Sequence, residues 1–276
     1  MENKYEENYV SLVSKVLAFG ESRETRAGPS IAMFGEVLRV PNIAIEGFPV
    51  LTTRKMYLHP IWGELAAFIH GCTKLSEFQD YGCNYWNPNA MAWPPNAGKL
   101  VRDMDVGKIY GAQWRNFNGV DQLEELLIGM KTDPFSRRHV LTTYNPAELF
   151  AGCLPPCHLL VQFFITGDDF VDCCVYMRSV DLCVGLPTDV VLYATLLSLI
   201  ARQLSLSVGC ITFMLGDAHV YKNHVDSWNE QVQRPHLFPP HLIFSDRLVN
   251  VFGFTGEGIY LDHYQHHDPI KYEFNV

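Results

Sequence analysis

The 276-residue chain is poor in charge: 18% of its residues are Asp, Glu, Lys or Arg, with 21 basic against 30 acidic side chains. No run of Lys or Arg occurs, which excludes the continuous positive surface that a nucleic-acid polymer requires. A small anion held by a few placed arginines stays open. The N-terminus, MENKYEENYV, lacks the basic start and the apolar block of a secretory signal, so a cytoplasmic protein is expected. The longest apolar stretch, 190–201, is too short to span a bilayer and ends at Arg202, which reads as a buried core helix with no membrane partner. The eight cysteines include no CxxC pair, and their scatter through a full-sized chain argues for buried thiols rather than a disulfide framework. Internal repeats, low-complexity tracts and Gly/Ser linkers are also missing.

What is present is enough apolar residue, 48%, to bury one large core. Helical periodicity falls at 2–19, 59–70, 120–131, 189–204 and 220–231, and strand-like patterns at 31–40, 138–144, 158–166, 170–179, 208–216 and 259–264. The Pro- and Asn-rich stretch from Asn84 to Gly98 predicts an irregular excursion. One α+β domain over 1–276, a large mixed β-sheet with flanking helices, follows.

Several residues could carry chemistry. Cys157 follows Pro155 and Pro156 at the start of a β-like run, so its thiol would sit at a fixed place on a strand end. A thiol attacks only as thiolate, and a cation such as Arg178 would favour that form. Packing as a small apolar residue is the alternative. Metal binding by Cys153, Cys157 and His158 lacks a second cluster to complete a tetrahedral site, so no metal is expected. Glu64 would lie on the apolar face of a helix, where burial raises a carboxyl pKa towards neutrality and suits a proton shuttle; the alternative leaves its head in water. Asp189, after Pro187 and Thr188, reads by itself as first-turn charge, with Thr188 as the cap; the alternative is a carboxylate offered to a ligand. Asp217, His219 and Tyr221 end a strand and could converge at a sheet edge. Arg137 and Arg138 have the forked donors that hold phosphate, or form a solvated surface pair.

In order and wording, six stretches from about Arg23 onward resemble the thymidylate synthase superfamily. They are GFPVLTTRK (Gly47 to Lys55), the Glu64 helix with HGCTK, IYGAQWR, DPFSRRHVLTTYNP, LPPCHLLVQF, and RSVDLCVGLPTDVVLYA followed by GDAHVYKNH. The resemblance implies a thymidylate synthase-like fold and a homodimer in which Arg137 and Arg138 reach the partner's phosphate site. It implies that Cys157 adds to C6 of a pyrimidine nucleotide and that C5 captures the methylene of 5,10-methylenetetrahydrofolate. Glu64 would organise water and proton transfers, Tyr110 would lie near the base, and His158 and Asn223 would support the network. Arg178, Ser179, Gln162, His219 and Tyr221 would bind the nucleotide. Trp86, Asp181, Gly185 and the C-terminal Val276 would face the folate.

Three departures from the family pattern narrow the reading. The Asn that reads uracil in the family is Asp189 here, and a carboxylate suits cytosine, with its N4 amino donor and N3 acceptor. The branch most similar is therefore the deoxycytidylate (dCMP) hydroxymethylases, with dCMP methylation as the rival outcome; such enzymes serve viruses that modify DNA precursors, which would place the protein in a host cytoplasm. The N-terminal phosphate loop is shortened to RETRAGPS, with Arg26 assigned to phosphate and Arg23 as its rival. A Phe of the family is Thr188 here, beside the sugar.

Overall fold

In the computed structural model, which describes residues 3–246 and 250–275, the chain opens with α1 (Lys4–Phe19). Asn3 caps it by accepting from the Glu6 N–H, and Tyr5, Tyr9, Leu12, Val13 and Val16 form its buried stripe at helical spacing. A hairpin follows, β1 (Glu21–Thr25) and β2 (Gly28–Val40), with Arg26 and Ala27 in its turn. Next come α2 (Ile43–Glu46), α3 (Leu58–His70), α4 (Leu75–Asp80), α5 (Asn87–Ala92), α6 (Tyr110–Arg115) and α7 (Gln122–Thr132). The second half holds β3 (Val140–Thr142), β4 (His158–Ile165), β5 (Phe170–Asp181), α8 (Gly185–Leu204), β6 (Ser207–Tyr221) and α9 (Val225–Gln231), then a small hairpin of β7 (His241–Phe244) and β8 (Ile259–Asp262).

Six strands form one mixed sheet in the order β1-β2-β6-β5-β4-β3, antiparallel throughout except where β5 lies parallel to β6. A parallel pair needs a crossover, and α8 supplies it. This helix is long and apolar enough to cross a membrane, but most of it is buried between β5, β6 and α3. Its interior position explains a run that reads as apolar all round. The opposite sheet face is open: Val37, Met214, Tyr176 and Leu160 pair in register across four strands, and each is more than a third exposed.

Two expectations about element ends fail for identifiable reasons. The helix expected from 220 begins only at Val225, because Val220 and Tyr221 still pair with Ile31 and Ser30 in β2. The helix expected from 189 starts at Gly185, so Thr188 is not its cap; the Thr188 hydroxyl donates back to the Val184 carbonyl inside the first turn. The stretch from Asn84 to Gly98 contains α5 and a 3₁₀ turn, pinned by Asn96, whose side chain bonds Ala90 and Asp105. α3 and α6 approach so closely that a Cβ on Gly111 would stand 2.2 Å from the Phe68 backbone. That contact sets Tyr110 against the α3 side chains: its ring stacks on Phe68 at 5.0 Å.

Candidate active site

A cavity of about 580 Å³ opens where α3, α5, α6, the ends of β5 and β6, and the head of α8 converge. Its volume falls within the usual range for small-molecule sites. Cys157 stands in its wall. Pro155 and Pro156 contribute no N–H to a ladder, and their carbonyls are taken by Arg178: Nη2 donates to Pro155 O at 2.8 Å and Nε to Pro156 O at 2.7 Å. The same Nη2 lies 3.7 Å from Cys157 Sγ. From the other side the Cys157 N–H donates to the Tyr110 hydroxyl at 2.8 Å. Burial pushes the thiol pKa up, Arg178 works against that, and Asp189 adds to it, so the resting side chain is a thiol next to a cation that stabilises its thiolate.

Glu64 is 8% exposed, and its Oε1 accepts from Trp86 Nε1 at 2.9 Å. Burial raises its pKa to about 7, partly countered by the indole bond. Asp189 stands one turn into α8 rather than in its first turn, where the sequence pattern put it, and is held well above the ordinary carboxylate range by burial and then by Glu64. His158 is stacked against Tyr110 at 3.9 Å, its Nδ1 meets the Tyr193 hydroxyl, and its Nε2 is 3.9 Å from Asp189 Oδ1. Burial lowers its pKa to about 3, so His158 is a neutral imidazole that orients its neighbours.

The register of β5 and β6 builds the next wall, pairing Ser179 with Asp217 and Asp181 with His219. His219 Nδ1 bonds Asp217 Oδ1 at 2.9 Å, and the Tyr221 ring meets His219 edge-on. Arg26 faces this cavity from the hairpin turn, whereas Arg23 is drawn to Glu21 at 3.3 Å and Asp217 at 3.6 Å. Gly185 and Thr188 line the α8 side.

Four expected site residues lie elsewhere. Arg137 and Arg138 are exposed and away from this cavity, and Gln162, on the open sheet face, donates to the Arg137 carbonyl at 3.3 Å. Asn223 bonds Glu273 Oε2 at 2.7 Å and so holds the C-terminal tail rather than the cavity wall. The tail from Ile270 to Asn275 does reach the cavity, fixed by Tyr272 on Gln231 and by His224 on the Glu273 carbonyl; Val276 lies outside the described residues.

The structure also brings in residues that the pattern did not single out. Arg54 lines the cavity, stacks over Tyr272 at 4.6 Å and donates to the Cys183 carbonyl. Its loop is fastened by the buried Glu6, which accepts from the N–H groups of Thr52 and Thr53 at 2.9 and 2.8 Å. The one signal was the LTTRK wording. Asp181, Cys183 and His224 place ligand-type atoms within 4.8 Å of one another. The neighbouring Arg54 cation and the Cys183 N–H on Asp181 Oδ1 favour a His224–Asp181 charge contact, at 3.6 Å, over a metal cage. Burial disfavours the His224 cation, but Asp181 beside it prevails and leaves its pKa raised.

A family model described as thymidylate synthase matches residues 7–276. The chain belongs to the thymidylate synthase family. It is 34% identical to the thymidylate synthase of Mesoplasma florum over a 292-position alignment covering 97% of this chain and 99% of that one. It is 33% identical to the bifunctional dihydrofolate reductase-thymidylate synthase of Paramecium tetraurelia, an alignment covering all of this chain and 62% of the relative. Thymidylate synthase-type chemistry is folate-dependent one-carbon transfer to a pyrimidine, with methylenetetrahydrofolate as cosubstrate. The cavity lining suits such a pair: Arg178, Ser179 and His219 offer polar groups, and Ile61, Trp86 and Leu154 apolar surface.

Glu64 offers a direct electrostatic test. Its carboxyl titrates at about 7 in the folded chain against 4.5 ordinarily, so the folded state keeps a proton that the unfolded chain releases. Stability contributed by this group is therefore complete below about pH 4.5 and lost as pH rises through 7, by about 3 kcal/mol. Glu64→Gln should match the wild type in denaturant unfolding at pH 4 and exceed it at pH 8, by up to about 3 kcal/mol. Parallel pH profiles would contradict the buried carboxyl.

Proposed function

We propose that the chain is a dCMP hydroxymethylase, converting dCMP, 5,10-methylenetetrahydrofolate and water to 5-hydroxymethyl-dCMP and tetrahydrofolate. Asp189 in the cavity is the observation that carries this reading. Burial, and then Glu64, hold its carboxyl well above the ordinary carboxylate range, and in its protonated form it presents one acceptor oxygen and one O–H donor. Cytosine answers with its N4 amino group and a basic N3 that can take the proton, giving two charge-assisted hydrogen bonds. Uracil O4 is not basic enough to take it. Moving the proton onto N3 also draws electron density from C6, the carbon that the Cys157 thiolate attacks.

In this reading Arg178 steadies the thiolate as it forms, and addition at C6 makes C5 the nucleophile that captures the one-carbon unit. Glu64, poised near pH 7, accepts and returns protons on the same side of the base. Arg26, Arg178 and Ser179 hold the phosphate, while His219 and Tyr221 hold the sugar. Trp86, Asp181 and Gly185 face the folate. The names of the relatives favour a second reading, dUMP methylation.

The active form is a homodimer through the open sheet face. The exposed row of Val37, Met214, Tyr176 and Leu160 needs a cover, and Gln162 beside it fastens the strand that leads to Arg137 and Arg138. From there the two arginines reach the partner's phosphate site.

Asp189→Asn should shift the ratio of kcat/KM for dCMP to that for dUMP towards dUMP by about 100-fold, since an amide has no proton to give to N3. An unchanged ratio removes Asp189 as the base reader. Tyr176→Asp should convert a dimer into a monomer in sedimentation and abolish turnover; a monomeric wild type would refute the shared site.

A further inference from the structure

Asn89 stands in the cavity wall with no part in the steps above. It lies three residues after Trp86, so the two side chains share a face of α5, and both line the cavity with Glu64. Apart from the Tyr85 hydroxyl, the other groups there are spent or apolar. The Trp86 indole N–H is used on Glu64, while Ile61 and Leu154 present carbon. Tyr85 lines the same corner, close enough to Glu64 to feel its charge. Among the described residues no hydrogen bond engages the Asn89 carboxamide, although it is half-buried. A half-buried amide left free beside a proton-accepting carboxylate is suited to hold a water.

We propose that Asn89 is a specificity-determining residue whose carboxamide oxygen holds the water that adds to the nucleotide's exocyclic methylene, with Glu64 taking that water's proton. The inference rests on the hydroxymethylase reading. After C5 has captured the one-carbon unit, loss of the C5 proton and cleavage of the bond between the methylene carbon and the folate nitrogen release tetrahydrofolate and leave an exocyclic C=CH₂ group at C5 and the Cys157 sulfur at C6. The water oxygen bonds to the CH₂ carbon, and the π electrons move onto C5 and into the ring. One water proton goes to the Glu64 carboxylate. The ring electrons then expel the Cys157 thiolate from C6 and restore the C5=C6 double bond. No oxidant or reductant is consumed. The competing fate is hydride transfer from tetrahydrofolate to the same carbon, giving a methyl group and dihydrofolate. Two acceptors, Asn89 Oδ1 and Glu64, engage both protons of the water and leave its lone pair free for carbon. With Glu64 alone the water has one anchor, and the hydride route gains.

The test reacts wild type, Asn89→Leu and Asn89→Asp with dCMP and methylenetetrahydrofolate. Product mass gives the ratio of hydroxymethyl product to methyl product plus Cys157-bound adduct, with dihydrofolate absorbance and the KM for dCMP measured alongside. Asn89→Leu should lower that ratio about tenfold or more while leaving the KM for dCMP unchanged. Asn89→Asp, which keeps the acceptor oxygen in the same shape, should restore it. If Asn89→Leu fails to melt cooperatively, Asn89→Ala, a stronger helix former, takes its place with the same expected loss. An unchanged ratio in the apolar variant, or an Asp variant as defective as the Leu one, overturns the role of Asn89. A wild type that itself yields only methyl product and dihydrofolate refutes the hydroxymethylase reading, a result read without any variant.

Discussion

The active site depends on the grip of Arg178 on the loop that carries Cys157. A Pro-Pro-Cys segment entering a sheet has carbonyls but few donors, and without partners it would not hold one conformation. Arg178 answers two of those carbonyls with its guanidinium and a third with its backbone N–H, which donates to Cys157 O at 2.8 Å. The remaining reach of the guanidinium, 3.7 Å, falls on the sulfur. One side chain thus fixes the position of Cys157 and supplies the charge that favours its thiolate. The sheet makes room for this: a Cβ on Gly216, across from Arg178 in β6, would meet the Arg178 carbonyl at 2.7 Å.

Around that clamp the site is electrostatically sparse. His158 is neutral, and burial also keeps Tyr110 and Tyr193 uncharged. The titratable groups that remain are two carboxyls, Glu64 and Asp189, and Glu64 raises the cost of ionising Asp189. Their environments differ. Glu64 has the Trp86 indole to accept from and titrates at about 7, whereas Asp189 is held well above the ordinary carboxylate range by burial and by Glu64. Paired carboxyls in different environments are an arrangement that can divide acid–base roles between them.

Much of this was legible from local pattern. The Cys157 strand, the Glu64 helix and the buried α8 each carry a periodicity or a proline signature that does not depend on distant residues. The corner made by Asp217, His219 and Tyr221 was legible as alternation along one strand. What pattern could not supply were contacts set by long-range packing: Glu6 fastening the loop of Arg54 across 46 positions, and Tyr193 meeting His158 across 35. α5 was hidden because its Asn, Pro and Ala composition reads as loop, and with it went the placement of Asn89. Thr188 was misread as a cap because Gly185 is a poor helix former by propensity, and tertiary packing overrode it.

The most direct measurement is product mass after incubation of the wild-type protein with methylenetetrahydrofolate and either dCMP or dUMP, with dihydrofolate followed by absorbance. The account predicts that dCMP gains a hydroxymethyl group with no dihydrofolate formed, and that dUMP reacts far more slowly. Reaction with dUMP alone would contradict the assignment of Asp189 as a cytosine reader, and a methylated dCMP with matching dihydrofolate would contradict water as the final acceptor.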